Sequence, residues 1–119
     1  MKSLIAFSLL LIHFQFYSQE CPNAIVLEKA AFQQKIIHND VQLIDVRTEE
    51  EFVSGCIDGA FNVDVLKEEN FKKQITELNK EEAVYVYCRS GARSKKATQI
   101  LCEAGFKNIY DLKGGYLIW

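Results

Sequence analysis

Four things are missing from this 119-residue chain: close cysteine pairs, a basic excess, a membrane-length apolar run, and repeats or low-complexity tracts. The cysteines at 21, 56, 88 and 102 include no CxxC pair, so no metal site is suggested. They leave a single bridge among Cys21, Cys56 and Cys102 open. Lys and Arg are interspersed with Asp and Glu at a net charge of −2, which argues against a nucleic-acid partner. No linker divides the chain, and its length suits one domain. About half the residues are apolar and 25% are charged, enough for a core that needs no staples.

The first residues stand apart. Met1-Lys2 gives a positive start, and Leu4 to Phe16 is apolar apart from Ser8, His13 and Gln15. That run falls short of the roughly 20 residues that span a bilayer, and the polar Ser18-Gln19-Glu20 follows it. The pattern predicts a signal peptide over 1–18 and a domain over 19–119, hence an exported, periplasmic protein. A retained N-terminal anchor is the alternative. Lipid attachment at Cys21 is a third reading, although Glu20 stands where such processing needs a small residue. Contact with a membrane is expected only if the leader is retained or Cys21 is lipidated.

Beyond the leader, apolar periodicity predicts a short helix over 28–37 that ends near His38-Asn39-Asp40. A buried strand follows over 41–46. Thr48 and Glu51 form a capping box for a short helix closed by Gly55. A second strand is expected over 60–63. An amphipathic helix over 67–78 turns Phe71, Ile75 and Leu78 inward. The strongest strand signal is 83–87, Ala-Val-Tyr-Val-Tyr. A helix over 94–104 turns Ala97, Ile100, Leu101 and Ala104 inward, with Cys102 beside that stripe as a packed small hydrophobe. A last strand spans 108–112, before the Gly114-Gly115 turn. Apolar strands alternating with helices imply a parallel sheet covered on both faces, a three-layer α/β domain.

In such sheets the site lies at the carboxyl ends of the strands. There the strongest strand runs into Cys88-Arg89-Ser90-Gly91-Ala92-Arg93-Ser94 and then directly into a helix. Unpaired N–H groups and the positive end of the helix dipole favour an anion at that point. Gly91 lets the backbone curl so that amides converge. Arg89 and Arg93 add positive charge. Together these groups favour the reactive thiolate of Cys88 over its thiol. Asp45 and Arg47 end the neighbouring strand on the same edge. They either shape the pocket or form an ion-pair network with each other and Glu51.

The stretch Val84 to Ser94 resembles the active-site strand and loop of rhodanese domains. Three further segments agree in order and spacing: 43–52 (LIDVRTEEEF), 55–62 (GCIDGAFN) and 112–119 (LKGGYLIW). The resemblance covers nearly everything after about Ala24. It implies a three-layer α/β/α rhodanese-like domain with a central parallel sheet of about five strands. It also implies a sulfurtransferase without cofactor or metal. Cys88 would be the nucleophile that carries sulfur as a persulfide. The amides from Arg89 through Ser90, Gly91, Ala92 and Arg93 to Ser94 would cradle it, and Arg93 and Arg89 would orient the donor. The implied partners are a small sulfur-containing anion such as thiosulfate and a thiol or cyanide acceptor, a protein thiol among them.

The chain departs from the family pattern at Cys56 and Asp58, where His and Pro are common. Cys56 is then either a surface thiol or bridged elsewhere, or a partner of Cys88 that resolves its persulfide or forms a disulfide with it. The chain also stops at Trp119, where relatives continue through a helix, so thin cover is expected there. Three other functions remain as alternatives. One is a non-catalytic binding or redox-sensing module. The second is a cysteine phosphatase, whose loop places five residues between Cys and Arg rather than the four between Cys88 and Arg93. The third is an arsenate reductase.

Overall fold

The computed structural model describes residues 24–119. The leader over 1–18 and Cys21 lie outside the described residues. The elements run β1 (Ala24–Leu27), α1 (Lys29–Ile36), β2 (Gln42–Asp45), α2 (Glu49–Ser54), β3 (Phe61–Asn62), α3 (Glu68–Gln74), β4 (Val84–Tyr87), α4 (Ala92–Glu103) and β5 (Ile109–Leu112). Short 3₁₀ turns follow α3 and β5. All five strands are parallel, in the order β1-β5-β4-β2-β3. The strand missed in the sequence is β1. It lies at the sheet edge with Ile25 and Val26 half exposed, so it lacks the continuous apolar signature of the strands inside.

Alternation along the strands sorts the core into two layers. Ile44, Val84, Val86 and Ile109 face one side, where Phe71 of α3 and Ala97, Ile100 and Leu101 of α4 meet them. Leu43, Tyr85, Tyr87 and Leu112 face the other, against Phe32 of α1 and Ile57. This is the three-layer α/β domain with a five-stranded parallel sheet. Removing a side chain such as Phe71, Leu101 or Phe32 from water contributes about 1.5–3 kcal/mol.

The amphipathic helix expected over 67–78 is α-helical to Gln74 and then tightens into a 3₁₀ turn at Ile75–Glu77. Phe71 and Ile75 stay buried throughout. The C-terminal 3₁₀ turn, Gly115–Ile118, supplies cover of its own kind. Trp119 meets Phe32 edge-on at 6.2 Å, and Lys29 Nζ donates to the Trp119 carbonyl at 2.8 Å. Leu117 and Ile118 remain exposed. Among the described residues, no helix is long and apolar enough to cross a membrane.

Candidate active site

Strand β4 lies between β5 and β2, is buried along its whole length, and delivers Cys88 to the carboxyl edge of the sheet. The chain then turns back on itself. Gly91 adopts φ 110°, a left-handed conformation that other residues resist, and caps α4. No atom lies within 4 Å of where its Cβ would be, so glycine serves conformation here rather than space. The turn aims the Gly91 N–H at the Cys88 sulfur, 3.0 Å away. The helix starts at Ala92, two residues before the expected Ser94, which brings the first turn of α4 against the sulfur. Cys88 Sγ donates to Ser94 Oγ at 3.4 Å, and Ser94 Oγ donates to the Gly91 carbonyl at 3.1 Å. Cys88 is only 1% exposed.

The loop is also clamped from behind. The N–H groups of Tyr116 and Leu117 donate to the Cys88 and Arg89 carbonyls at 2.8 and 3.0 Å. This approach depends on Gly115, which has φ 63° and whose Cβ would stand 2.5 Å from both carbonyl oxygens. The Gly114-Gly115 pair is thus a wall of the site as well as a turn.

The two loop arginines part company. Arg93 is bound by Glu51 of α2 through Nη1–Oε1 at 2.6 Å and Nη2–Oε2 at 2.9 Å. This fork-to-fork pairing is the strong arrangement for arginine and carboxylate. Arg93 also acts electrostatically on Cys88. Among the described residues Arg89 has no ion-pair partner, so it carries the unneutralised charge of the exposed rim. Glu51 closes the expected capping box with Thr48, yet it turns to Arg93 rather than to Arg47. One carboxylate therefore ties the start of α2 to the start of α4.

Arg93 hydrogen-bonded to Glu51 lowers its pKa to about 2, against a smaller opposing effect of burial. Stability from a depressed carboxylate is present above its unfolded value of about 4.3 and is lost as pH falls through the folded value. Glu51→Gln is expected to cost about 1 kcal/mol at neutral pH for this half-exposed pair. The gap to wild type should shrink below about pH 4 and close near pH 2. Denaturant melts across a pH series check this, and a gap still intact at the acid end would count against the pairing.

Asp45 and Arg47 sit at the end of β2 with 0% and 4% exposure. Arg47 Nη2 reaches Asp45 Oδ2 at 2.6 Å and the Gly55 carbonyl at 2.7 Å. Its guanidinium lies over the Tyr116 ring at 4.3 Å. Asn62 of β3 donates to the carbonyls of both Asp45 and Arg47. Burial of Tyr87 and the facing Asp45 carboxylate push its phenol well above the usual value, so the hydroxyl stays protonated. These contacts join the strand end to the Gly114-Gly115 wall, so the pair acts as a brace under the site.

Cys56 and Cys88 have free thiols. Cys56 lines a cavity of about 380 Å³ with Ile36, Ile57 and Trp119 of the second core layer, whereas the Cys88 side chain packs into the first. The structure thus separates the thiol at 56 from the loop by the sheet. Cys102 packs against the first core, as expected, and is disulfide-bonded, a bridge the sequence left open.

Parallel strands, a curled loop seating one buried cysteine, and a helix mouth behind it define a class of α/β domain built around a single sulfur. The family model described as Rhodanese-like domain matches residues 28–119, and the chain belongs to that family. It is 40% identical over 79 residues to thiosulfate sulfurtransferase GlpE of Shewanella oneidensis, covering 66% of this chain and 75% of that one. It is 35% identical over 95 residues to tRNA uridine(34) hydroxylase of Acinetobacter baumannii, covering 76% of this chain but 30% of the relative. A solved rhodanese-like domain protein from Staphylococcus aureus matches with a TM-score of 0.64 at 28% identity, over 76% of this chain and 86% of that one.

Proposed function

We propose that this protein is an exported sulfurtransferase that carries sulfane sulfur as a persulfide on Cys88. The observation that carries the reading is the Gly91 amide, 3.0 Å from a buried sulfur at the mouth of a twelve-residue helix. That arrangement stabilises negative charge on sulfur without a metal.

In the first half-reaction the Cys88 thiolate attacks the outer sulfur of a donor such as thiosulfate. The new Sγ–S bond forms as the S–S bond of the donor breaks, and sulfite leaves with the electron pair. In the second, a thiol or cyanide attacks the outer sulfur and Cys88 departs as thiolate. No external oxidant or reductant is consumed. Arg89, exposed and without an ion-pair partner among the described residues, suits the incoming anion. Arg93, already bound to Glu51, holds the loop and faces the cysteine.

Export rests on the apolar leader, and the disulfide at Cys102 suits an oxidising compartment. Incubation of the wild-type protein with thiosulfate should add the mass of one sulfur atom at Cys88. Cyanide should remove it with release of thiocyanate. Phosphatase turnover in the absence of any sulfur adduct would overturn the reading.

A further inference from the structure

Arg93 faces two ways. It stands in the first turn of α4 beside the Cys88 sulfur, and its guanidinium fork closes on both oxygens of Glu51. That carboxylate is itself held in place. Glu51 Oε1 accepts from the Thr48 backbone N–H at 3.3 Å and from the Thr48 hydroxyl at 3.0 Å, and the Glu51 N–H donates to Thr48 Oγ at 3.3 Å. A Glu51 side chain that let go of Arg93 would leave its own charge without a cation at the start of α2. The two side chains are 28% and 23% exposed, so salt screens the pair less than it would on an open surface.

The charges that meet an incoming donor come from every element around the loop. The reacting sulfur is negative as thiolate. Arg89 is exposed, has no ion-pair partner among the described residues, and brings one positive charge to the rim. Arg93 brings a second, which Glu51 cancels; Asp64, beyond β3, also faces that guanidinium. Asp45 and Arg47 cancel each other in the interior. On the far flank Lys95 and Asp111 border one cavity with opposite charges, and Lys113 is held there by Glu28. The uncancelled attraction for an anion is therefore the Arg89 guanidinium and the positive end of α4.

Sulfane-sulfur donors differ in charge. Thiosulfate is a dianion, whereas an organic thiosulfonate, R–SO₂–S⁻, carries a single charge. A dianion that approaches a thiolate needs more compensation than one guanidinium and a helix end provide.

We propose that Glu51 is a positioning residue that, by holding Arg93, tunes the Cys88 site to singly charged sulfane-sulfur donors. With a thiosulfonate, the Cys88 thiolate attacks the outer sulfur. The new S–S bond forms as the donor's S–S bond breaks, and the sulfinate leaves with the electron pair. Total charge is unchanged, and no oxidant or reductant is consumed. Thiosulfate reacts by the same step, less efficiently. The inference rests on the reading of Cys88 as the sulfur carrier, and it adds which donors that carrier takes.

The test compares thiosulfate with methanethiosulfonate, in which a methyl group replaces one charged oxygen. Both are assayed on the full chain with cyanide as acceptor, where kcat/KM for the donor reports the first half-reaction. Wild type should show the higher value with methanethiosulfonate. Its value with thiosulfate should change by less than about twofold as salt is raised, because the site carries little net attraction to screen. Glu51→Gln keeps the size of the side chain and an acceptor for Thr48 but removes the charge. It should raise kcat/KM for thiosulfate about fivefold or more, chiefly through KM, with a smaller gain for methanethiosulfonate. The thiosulfate rate of this variant should then fall with salt. A glutamate that only supports the loop predicts that both donors lose together. That outcome, an unshifted ratio, or a wild type that favours thiosulfate overturns the proposal. The wild-type salt series stands apart from how well the variant folds, and a steep fall there overturns the proposal too. Failure of both donors to label Cys88 in wild type would sink the proposed function, whereas labelling by both with an unshifted ratio would sink only this inference.

Discussion

Cys88→Ser is expected to abolish both the sulfur adduct and thiocyanate formation, with turnover falling at least about ten-thousandfold. Oxygen in place of sulfur cannot attack the donor and then leave as a stable anion at neutral pH, so neither half-reaction proceeds. The fold should hardly notice. A serine hydroxyl can still accept from the Gly91 amide and donate to Ser94, which are the two bonds the thiol makes. Both groups are small, so the melting transition should stay within about 1 kcal/mol of wild type. Rate assays beside thermal melts separate loss of chemistry from loss of structure. Substantial turnover in the serine variant would move the reaction to another thiol, of which Cys56 is the free one among the described residues.

Arg47→Met is expected to cost about 3–5 kcal/mol, because it strands the Asp45 carboxylate in the interior without its cation. The two side chains are almost wholly buried, and Asp45 Oδ1 and Oδ2 together receive the Arg47 backbone N–H, Nε and Nη2. Burial alone works against the guanidinium charge, and the adjoining Asp45 outweighs it, so Arg47 holds its proton more tightly than usual. The substitution also frees the Gly55 carbonyl and removes the cation over Tyr116. Combining Arg47→Met with Asp45→Asn should cost less than the two single losses added together, since much of each is the penalty of an unpaired partner. Urea unfolding of the three variants measures this. A single variant within about 1 kcal/mol of wild type would show that the pair is not the brace described above.

Much of this site was legible as a string. The run from Val84 to Ser94 combines a β-branched strand, a glycine and a helix start within eleven residues, and each is a local property of neighbouring side chains. The capping box from Thr48 to Glu51 was equally local and was found in place. Sequence reasoning missed contacts that run across the chain. Glu51 and Arg93 are 42 residues apart, and nothing near either names the other. Strand β1 escaped notice because an edge strand with Ile25 and Val26 exposed takes its identity from the free edge of β5. Asp111 fell inside the strand expected over 108–112 without drawing notice, and only its register against Val86 shows which face of the sheet it takes.

The string by itself determined the alternation of strand and helix, the loop built around Cys88, and the family to which they belong. Hydrophobic period, turn residues and caps act over a few residues and can be read in order. Tertiary structure alone decided that Arg93 is spent on Glu51 while Arg89 has no ion-pair partner among the described residues, that Gly115 walls the loop, and that the Asp111 carboxyl is buried. Those outcomes depend on strand order, register and desolvation, which exist only after distant segments have packed.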